Sequence, residues 1–246
     1  MPNSIEKAML ILREISNNKG TPLKLSDIAD KTSINPSTVA HILKTLLDSG
    51  YVKKVSHSQG YVLGAELYYL ARYGIYKSEF LSTVHLILKY LSKTTKSTAC
   101  FAILESNKKY IIDRYEFDIH YADANAAIFS DNIYRTVTGR ILLANIPEHS
   151  ALGILDSLGL PETEEWEEVK NEKDFLFELS KIRNYRVYYL KNDPYCSFAA
   201  PVFYQNKCVG SIGLWSENSR SNNINSITKQ MIRCKNEIEH RLKFIK

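Results

Sequence analysis

The chain has 246 residues, which suits one large domain or two modest ones. Its composition, 44% hydrophobic and 24% charged, is ordinary for a globular protein, and the sequence has neither an internal repeat nor a low-complexity segment. The net charge of +5 and the pI near 8.8 are compatible with a polyanionic partner without identifying one.

The four cysteines stand apart, with no CxxC pair and no Cys/His cluster, which argues against a disulfide framework and against a structural zinc site. We therefore expect reduced thiols, no metal and no cofactor. The first ten residues contain no apolar signal core, and no segment approaches the roughly 20 apolar residues of a membrane span. A cytoplasmic location without a membrane partner is the resulting expectation.

The N-terminal third predicts three helices. Apolar residues at helical spacing predict the first over residues 4–17, capped by Ser4, and a short second helix follows, capped by Ser26. The third has the clearest limits, because Asn35 is a favourable N-cap, Pro36 suits the first helical position, and Gly50 is a stop signal. Its buried stripe is predicted to comprise Val39, Ile42, Leu43, Leu46 and Leu47.

Two predicted strands, 51–55 and 61–63, follow the third helix and are joined across residues 56–60. This order of elements is typical of a winged helix-turn-helix, whose last helix exposes short polar and cationic residues to a DNA groove. The helix residues predicted to contact DNA are Ser37, Thr38, His41, Lys44 and Thr45. The corresponding wing residues are Lys53, Lys54, His57, Ser58 and Gln59. Taken singly, each could equally belong to a solvated face.

The remainder alternates between strands and helices. The sequence predicts a linker helix over 64–77 and an amphipathic helix from Ser78. The later predicted helices are 136–144, 151–158, an acidic surface helix within 161–185, and 224–244. The later predicted strands are 98–104, 110–115, 186–190, 198–204 and 208–215. The predicted class is α+β, with a DNA-binding domain at 1–63, the linker at 64–77 and a mixed α/β sensor domain at 78–246.

Five segments carry a resemblance that spans nearly the whole chain. They are LSDIADKTSINPSTVAHILKTLLDSGYVKK, YVLGAELYYLA, TVTGRILLA, NYRVYYL and SFAAPVF. The chain resembles the IclR family of bacterial transcription regulators, specifically in its N-terminal part and more loosely in its C-terminal part. The resemblance implies a GAF-like effector-binding domain that responds to a small molecule, often an organic acid, in a dimer or tetramer that represses or activates promoters.

The sequence departs from the family pattern at informative positions. His41 stands where the family usually has arginine, and a neutral imidazole cannot donate a forked pair of hydrogen bonds to guanine. Tyrosines replace the usual acids after Asn184-Tyr185, and the usual cysteine position falls at Ser197. The predicted effector-binding residues are Thr136, Thr138, Gly139, Tyr188, Tyr189, Cys196, Ser197, Gly213 and Trp215.

Aromatic side chains change the expected ligand. If Tyr188, Tyr189 and Trp215 point inward, the pocket favours an aromatic or sugar-like effector over a two- or three-carbon acid. The alternative is that these rings fill the cavity as core and leave a ligand-independent regulator or an interaction adaptor.

An enzyme is the least favoured class. Cys100, Cys196 or Cys208 could pair with His85, His120 or His149, but the sequence has no nucleophile-elbow, P-loop or HExxH motif. We therefore expect no catalysis. The expected partners are double-stranded DNA, with a palindromic operator read by a homodimer or tetramer, and a small-molecule effector whose binding alters the spacing of the two DNA-binding domains.

Overall fold

A computed structural model describes residues 3–18, 20–56, 60–71, 78–117, 132–192, 195–217 and 224–244. The chain divides into two compact units, 1–77 and 78–246. Among the described residues, no helix is both long and apolar enough to cross a membrane. The mixed α and β class predicted from the sequence is confirmed, with helix-turn-helix elements first and a sheet domain after them.

The first unit contains three helices, a two-stranded hairpin and a short fourth helix. They are α1 (Ser4–Asn17), α2 (Leu25–Thr32), α3 (Pro36–Asp48), β1 (Val52–Ser56), β2 (Gly60–Leu63) and α4 (Ala65–Ala71). Leu23 adds a bridge to the hairpin, since its N–H and C=O pair with the C=O and N–H of Tyr61 at 3.0 and 2.8 Å. One apolar core joins all of these elements except α4, where Leu67 packs against its edge.

The caps of the first two helices differ from the prediction. Asn3, not Ser4, caps α1, because its Oδ1 accepts from the N–H groups of Ile5 and Glu6 at 3.0 and 2.9 Å. Helix α2 begins one residue before Ser26, and the carboxylate of Asp27 accepts from the backbone N–H of Lys24 at 3.4 Å. The cap of α3 is confirmed at Asn35, with Pro36 at the first helical position.

The second unit is built on a five-stranded antiparallel sheet in the order β4-β3-β7-β6-β5. Its strands are β3 (Thr98–Glu105), β4 (Lys108–Tyr115), β5 (Tyr188–Asn192), β6 (Tyr195–Tyr204) and β7 (Lys207–Glu217). Its helices are α5 (Ser78–Thr95), α6 (Val137–Ala144), α7 (Glu148–Leu158), α8 (Glu172–Arg183) and α9 (Ile224–Leu242).

Helices cover both faces of this sheet. Helix α5 packs on one face, where the rings of Phe80 and Phe101 meet edge to face with centroids 5.6 Å apart, and α9 packs beside α5. Helix α6 packs on the opposite face, with α8 outside it and α7 against α8. The acidic segment is helical only from Glu172, while residues 161–171 form turns closed by the buried side chains of Trp166 and Val169.

Candidate functional site

Helix α3 presents one polar face to solvent. Asn35 Oδ1 accepts from both the backbone N–H and the hydroxyl of Ser37, at 2.9 and 2.8 Å, which fixes the start of the helix. Val39, Leu43 and Leu46 are buried against the core of the first unit. The buried stripe therefore holds α3 in place and leaves its other face available to a partner.

The five predicted helix residues are not equally available. Ser37, His41, Lys44 and Thr45 are exposed, whereas Thr38 is half-buried. The Thr45 hydroxyl donates to the carbonyl of His41 at 3.3 Å, so it is partly used inside the helix. His41 and Lys44 are consequently the longest exposed polar side chains on this face.

The hairpin separates its two lysines. Lys53 is exposed, while Lys54 lies on the other face of the strand with its Nζ 5.6 Å from the centre of the Tyr61 ring. Of the pair, Lys53 is the one directed towards solvent. The predicted wing residues His57, Ser58 and Gln59 lie outside the described residues.

In the second unit, the start of α6 is occupied by internal hydrogen bonds. Thr136 caps the helix by accepting from the N–H of Gly139 at 3.2 Å, and the Lys109 ammonium donates to the same hydroxyl at 2.9 Å. Both Lys109 and Thr136 are buried. The predicted role of Thr136 and Gly139 as ligand donors is therefore weakened, since the cap already uses the hydroxyl and that N–H.

Lys109 is a buried cation that the sequence analysis did not single out, because the predicted strand begins only at residue 110. Only Ser106 and Asn107 form the turn, both at positive φ, and Lys109 falls inside β4. Its side chain lies on the same sheet face as Leu104, its partner in the ladder. The strand pairing thus places an ammonium group beneath the start of α6.

Glycine allows α6 to approach the sheet closely. A Cβ on Gly213 would lie 2.5 Å from Thr138 Cγ2 and 2.8 Å from Cys100 Sγ, and a Cβ on Gly139 would lie 2.0 Å from the carbonyl oxygen of Ile133. Carbon atoms in favourable contact are about 3.5–4.0 Å apart. The predicted residues Thr138 and Gly213 are therefore brought together, as parts of a tight helix–sheet contact.

The predicted effector residues are divided between two sheet faces. Ser197 is opposite Trp215 in the ladder, and both share the α6 face with Gly213 and Tyr188. Cys196 and Tyr189 alternate to the other face, where the Tyr189 ring lies 5.7 Å from that of Phe198. The expectation that Cys196 and Tyr189 line one pocket with Trp215 is wrong, because successive strand residues point to opposite faces.

Trp215 is the most distinctive member of the α6 face. Its side chain is 5% exposed, and the ring of Tyr195 lies over it at a centroid distance of 4.3 Å. The indole Nε1 is buried and has no hydrogen-bond partner within the described part of the chain. An indole N–H removed from water without an acceptor carries a desolvation cost of about 1–3 kcal/mol.

Arg140, which is not among the predicted site residues, is the centre of a buried network. Its Nε donates to the carbonyl of Tyr134 at 2.8 Å, and its terminal nitrogens donate to Tyr188 Oη and to the carbonyl of Glu165 at 3.1 and 2.6 Å. The guanidinium also lies 4.3 Å from the ring centre of Trp166. These contacts tie α6 to β5 and to the turns before α8.

The network also determines the protonation state and the hydrogen bonding of the Tyr188 hydroxyl. Burial raises the pKa of its phenol, and the hydrogen bond and positive charge of Arg140 partly oppose that rise. The Tyr188 hydroxyl is thus neutral and engaged with Arg140. Tyr188 is accordingly a structural ring at the edge of the α6 face.

The thiols have the properties of core residues. Burial raises the pKa of Cys100, Cys208 and Cys234 to about 11, and raises that of Cys196. A neutral thiol is a poor nucleophile. His85 is bonded to Asp113 at 3.2 Å, and His120 lies outside the described residues. No group of three or more potential metal ligands occurs among the residues that the structure describes.

Comparisons with known proteins agree with this architecture. Residues 4–56 match the model of the IclR helix-turn-helix domain. The chain is 27% identical over 159 residues to the HTH-type transcriptional regulator XynR of Escherichia coli K12, covering 62% of this chain and 60% of that protein. It is 23% identical over 160 residues to the transcriptional repressor IclR of the same organism, covering 64% and 58%. The chain thus spans about 60% of the length of these curated relatives.

Solved structures share the fold over nearly the full chain. An IclR homolog from Microbacterium hydrocarbonoxydans, complexed with 4-hydroxybenzoate, has a TM-score of 0.77 at 15% identity and covers 99% of this chain and 100% of its own. Thermotoga maritima IclR has a TM-score of 0.65 at 22% identity, with 98% of both chains covered. At these identities the likeness establishes a common fold.

Proposed function

We propose that this chain, a member of the IclR family of transcriptional regulators, binds double-stranded DNA through α3. It regulates transcription in response to a small molecule bound by its second unit. The observation that carries the proposal is the structure of α3, whose capped start and buried stripe leave a polar, cationic face exposed. A helix with these properties suits the DNA major groove.

The exposed residues suggest distinct roles in DNA binding. Lys44 and Lys53 supply positive charge to phosphates, and the start of α3 adds N–H groups beside Ser37. His41 supplies one hydrogen bond per ring nitrogen to a base edge. The operator preference should therefore depend on His41, whereas the salt dependence should depend on the lysines.

A second copy of the chain completes the proposed DNA site. Helix α4 exposes Tyr68, Tyr69 and Leu70 at 77%, 54% and 56%, a concentration of apolar surface that suits contact between two copies. Two copies related by a twofold axis would read a palindromic operator. The homodimer, and any pairing of dimers into a tetramer, belongs to the proposal.

The test measures DNA affinity against salt concentration. Purified protein is titrated onto the DNA upstream of its own gene at several salt concentrations, as wild type, as Lys44→Ala, and as the control Lys173→Ala in the exposed start of α8. Loss of one phosphate contact should lower the slope of log K against log salt by about 0.9. If Lys44→Ala and Lys173→Ala both match the wild type, α3 does not contact DNA as proposed.

The effector would bind on the α6 face at Trp215, beside Ser197 and Tyr195. The buried indole N–H without an acceptor and the two neighbouring rings support an aromatic or sugar-like molecule that brings a hydrogen-bond acceptor. The start of α6 is a weaker candidate for the carboxylate of a small acid, because Thr136 and Gly139 bond to each other. The relative complexed with 4-hydroxybenzoate has the same fold and binds an aromatic molecule.

A second candidate function rests on the tight packing at Gly213. Thr138 and Cys100 close over that glycine, and Trp215 is almost fully buried, which suits a filled domain in a regulator without an effector. A thermal-shift screen of aromatic acids, sugars and short-chain acids separates the two. A ligand at 100 times its Kd stabilises the folded state by about 2.7 kcal/mol. Stabilisation in the wild type that is lost in Trp215→Phe supports the effector, and no stabilisation by any compound supports the filled domain.

A further inference from the structure

A cavity of about 290 Å³ lies at the end of the second unit remote from Trp215. It is formed where the last residues of α6 and α8 meet β6 and α9, with Pro201 and Phe203 in its wall. Phe203 is six residues from Ser197 along β6, a separation of about 20 Å in an extended strand. This cavity is therefore separate from the proposed effector site.

The charged side chains of its lining are all basic, namely Arg183, Arg186 and Lys235. Lys235 is paired with Glu239 at 2.9 Å. Arg183 uses its Nε to donate to the carbonyl of Ala144 at 2.6 Å, so its terminal nitrogens are left for another acceptor. Arg186 is exposed and has no hydrogen-bond or ion-pair partner among the described residues.

The charges leave a small positive excess. Glu239 offsets Lys235, and the carboxyl ends of α6 and α8, which finish at the lining residues Asn145 and Asn184, together contribute about one negative charge. About one positive charge then remains from the two arginines. That balance suits an anion with a single charge.

The rest of the wall combines the three asparagines Asn145, Asn184 and Asn236 with rings and aliphatic side chains. The rings of Tyr185 and Phe203 stand with Ile232 and Pro201 around the cavity, whose volume is near the lower end of the range of about 300–1,000 Å³ for ligand pockets. We propose that this cavity binds a small organic carboxylate with an apolar body, whose oxygens pair with the guanidinium groups of Arg186 and Arg183. The site is independent of the proposed effector site.

The test follows the binding of 4-fluorobenzoate to the full chain by ¹⁹F NMR. We expect saturable line broadening, with little effect on 4-fluorophenol, which lacks the charge, or on fluoroacetate, which lacks the ring. Arg186→Gln should weaken binding by about tenfold or more through loss of a charge-assisted hydrogen bond, and Arg186→Glu should abolish it. The matched control is Arg13→Ala, an exposed arginine of α1.

Each outcome decides the proposal. Binding that Arg186→Gln and Arg186→Glu weaken while Arg13→Ala does not supports the site. Binding that survives both Arg186 variants and is lost in Trp215→Phe places the probe at the effector site and overturns the proposal. Absence of saturable binding in the wild type also overturns it, without bearing on DNA binding or on the effector site.

Discussion

Replacing Gly213 by alanine tests whether α6 lies as close to the sheet as the structure places it. The added methyl would meet Thr138 Cγ2 at 2.5 Å and Cys100 Sγ at 2.8 Å, over 0.5 Å inside ordinary contact. Both neighbours are buried, so relieving the clash requires a shift within the packed interior. Overpacking of this kind costs about 1–3 kcal/mol.

Thermal unfolding followed by circular dichroism measures this loss. For a unit of this size, each kcal/mol lowers the melting temperature by about 2–4 °C, so Gly213→Ala should lower it by about 2–12 °C. Gly153→Ala is the matched control, because a Cβ at Gly153 meets nothing within 4 Å and the residue lies inside α7. Because glycine inside a helix is less stable than alanine, Gly153→Ala should stabilise the second unit by up to about 1 kcal/mol.

A double-mutant cycle identifies the clash. Thr138→Ser removes the methyl nearest to the new side chain, at a cost of about 0.8 kcal/mol for the buried group on its own. Combined with Gly213→Ala, it should recover about 1 kcal/mol relative to the sum of the single changes. Strict additivity, or an unchanged melting temperature in Gly213→Ala, would refute the close packing and with it the argument for a filled domain.

Three further changes test the local interactions. Asn35→Ala should destabilise the first unit by about 1 kcal/mol in denaturant unfolding, because Ser37 N loses its acceptor, while Asn35→Ser should retain most of the stability. Arg140→Lys should cost at least 2 kcal/mol because it breaks a three-way network, against about 1 kcal/mol for Tyr188→Phe, and equal losses would contradict the central role of Arg140. Burial raises the pKa of Cys100 from 9.0 to about 11, so stability is retained below pH 9 and falls as pH rises towards 11. Over this range the thiol should lower the free energy of unfolding by about 1.4 kcal/mol per pH unit. Cys100→Ala should therefore show a smaller loss of stability between pH 9 and 10 than the wild type, and an equal loss would mean that the thiol ionises at its ordinary pKa.

The DNA-binding unit could be predicted from sequence because its signals are local. Asn35 and Pro36 fix the start of α3 through bonds that span two residues, and the buried stripe repeats at helical spacing. The placement of Tyr188 and Tyr189 on opposite sheet faces could also be predicted from the sequence, because successive side chains in a strand point to opposite faces and cannot line one pocket.

Other features depend on contacts between distant segments. The β3–β4 hairpin turns at Ser106 and Asn107 alone, both at positive φ, and without a glycine to mark these two positions the following strand is predicted to begin at residue 110 instead of Lys108. The burial of Arg140 depends on acceptors from the turn before α6, the turn before α8, and β5. No pattern within α6 itself indicates those three partners.

The two ends of the α6 face would transmit ligand binding differently. The start of α6 is tied to Thr136 and Lys109 by internal bonds, so an effector there would have to displace them. At Trp215 an effector would instead act on β7, and Trp215 is paired directly with Thr98 in β3. Thr98 follows α5 after a two-residue turn in which Ser97 N bonds to Ser92 O at 3.1 Å, and α5 begins at Ser78, the first residue of the second unit. An effector at Trp215 would therefore act directly on the pairing of β7 with β3 and on the turn that joins β3 to α5, without displacing the internal bonds at the start of α6.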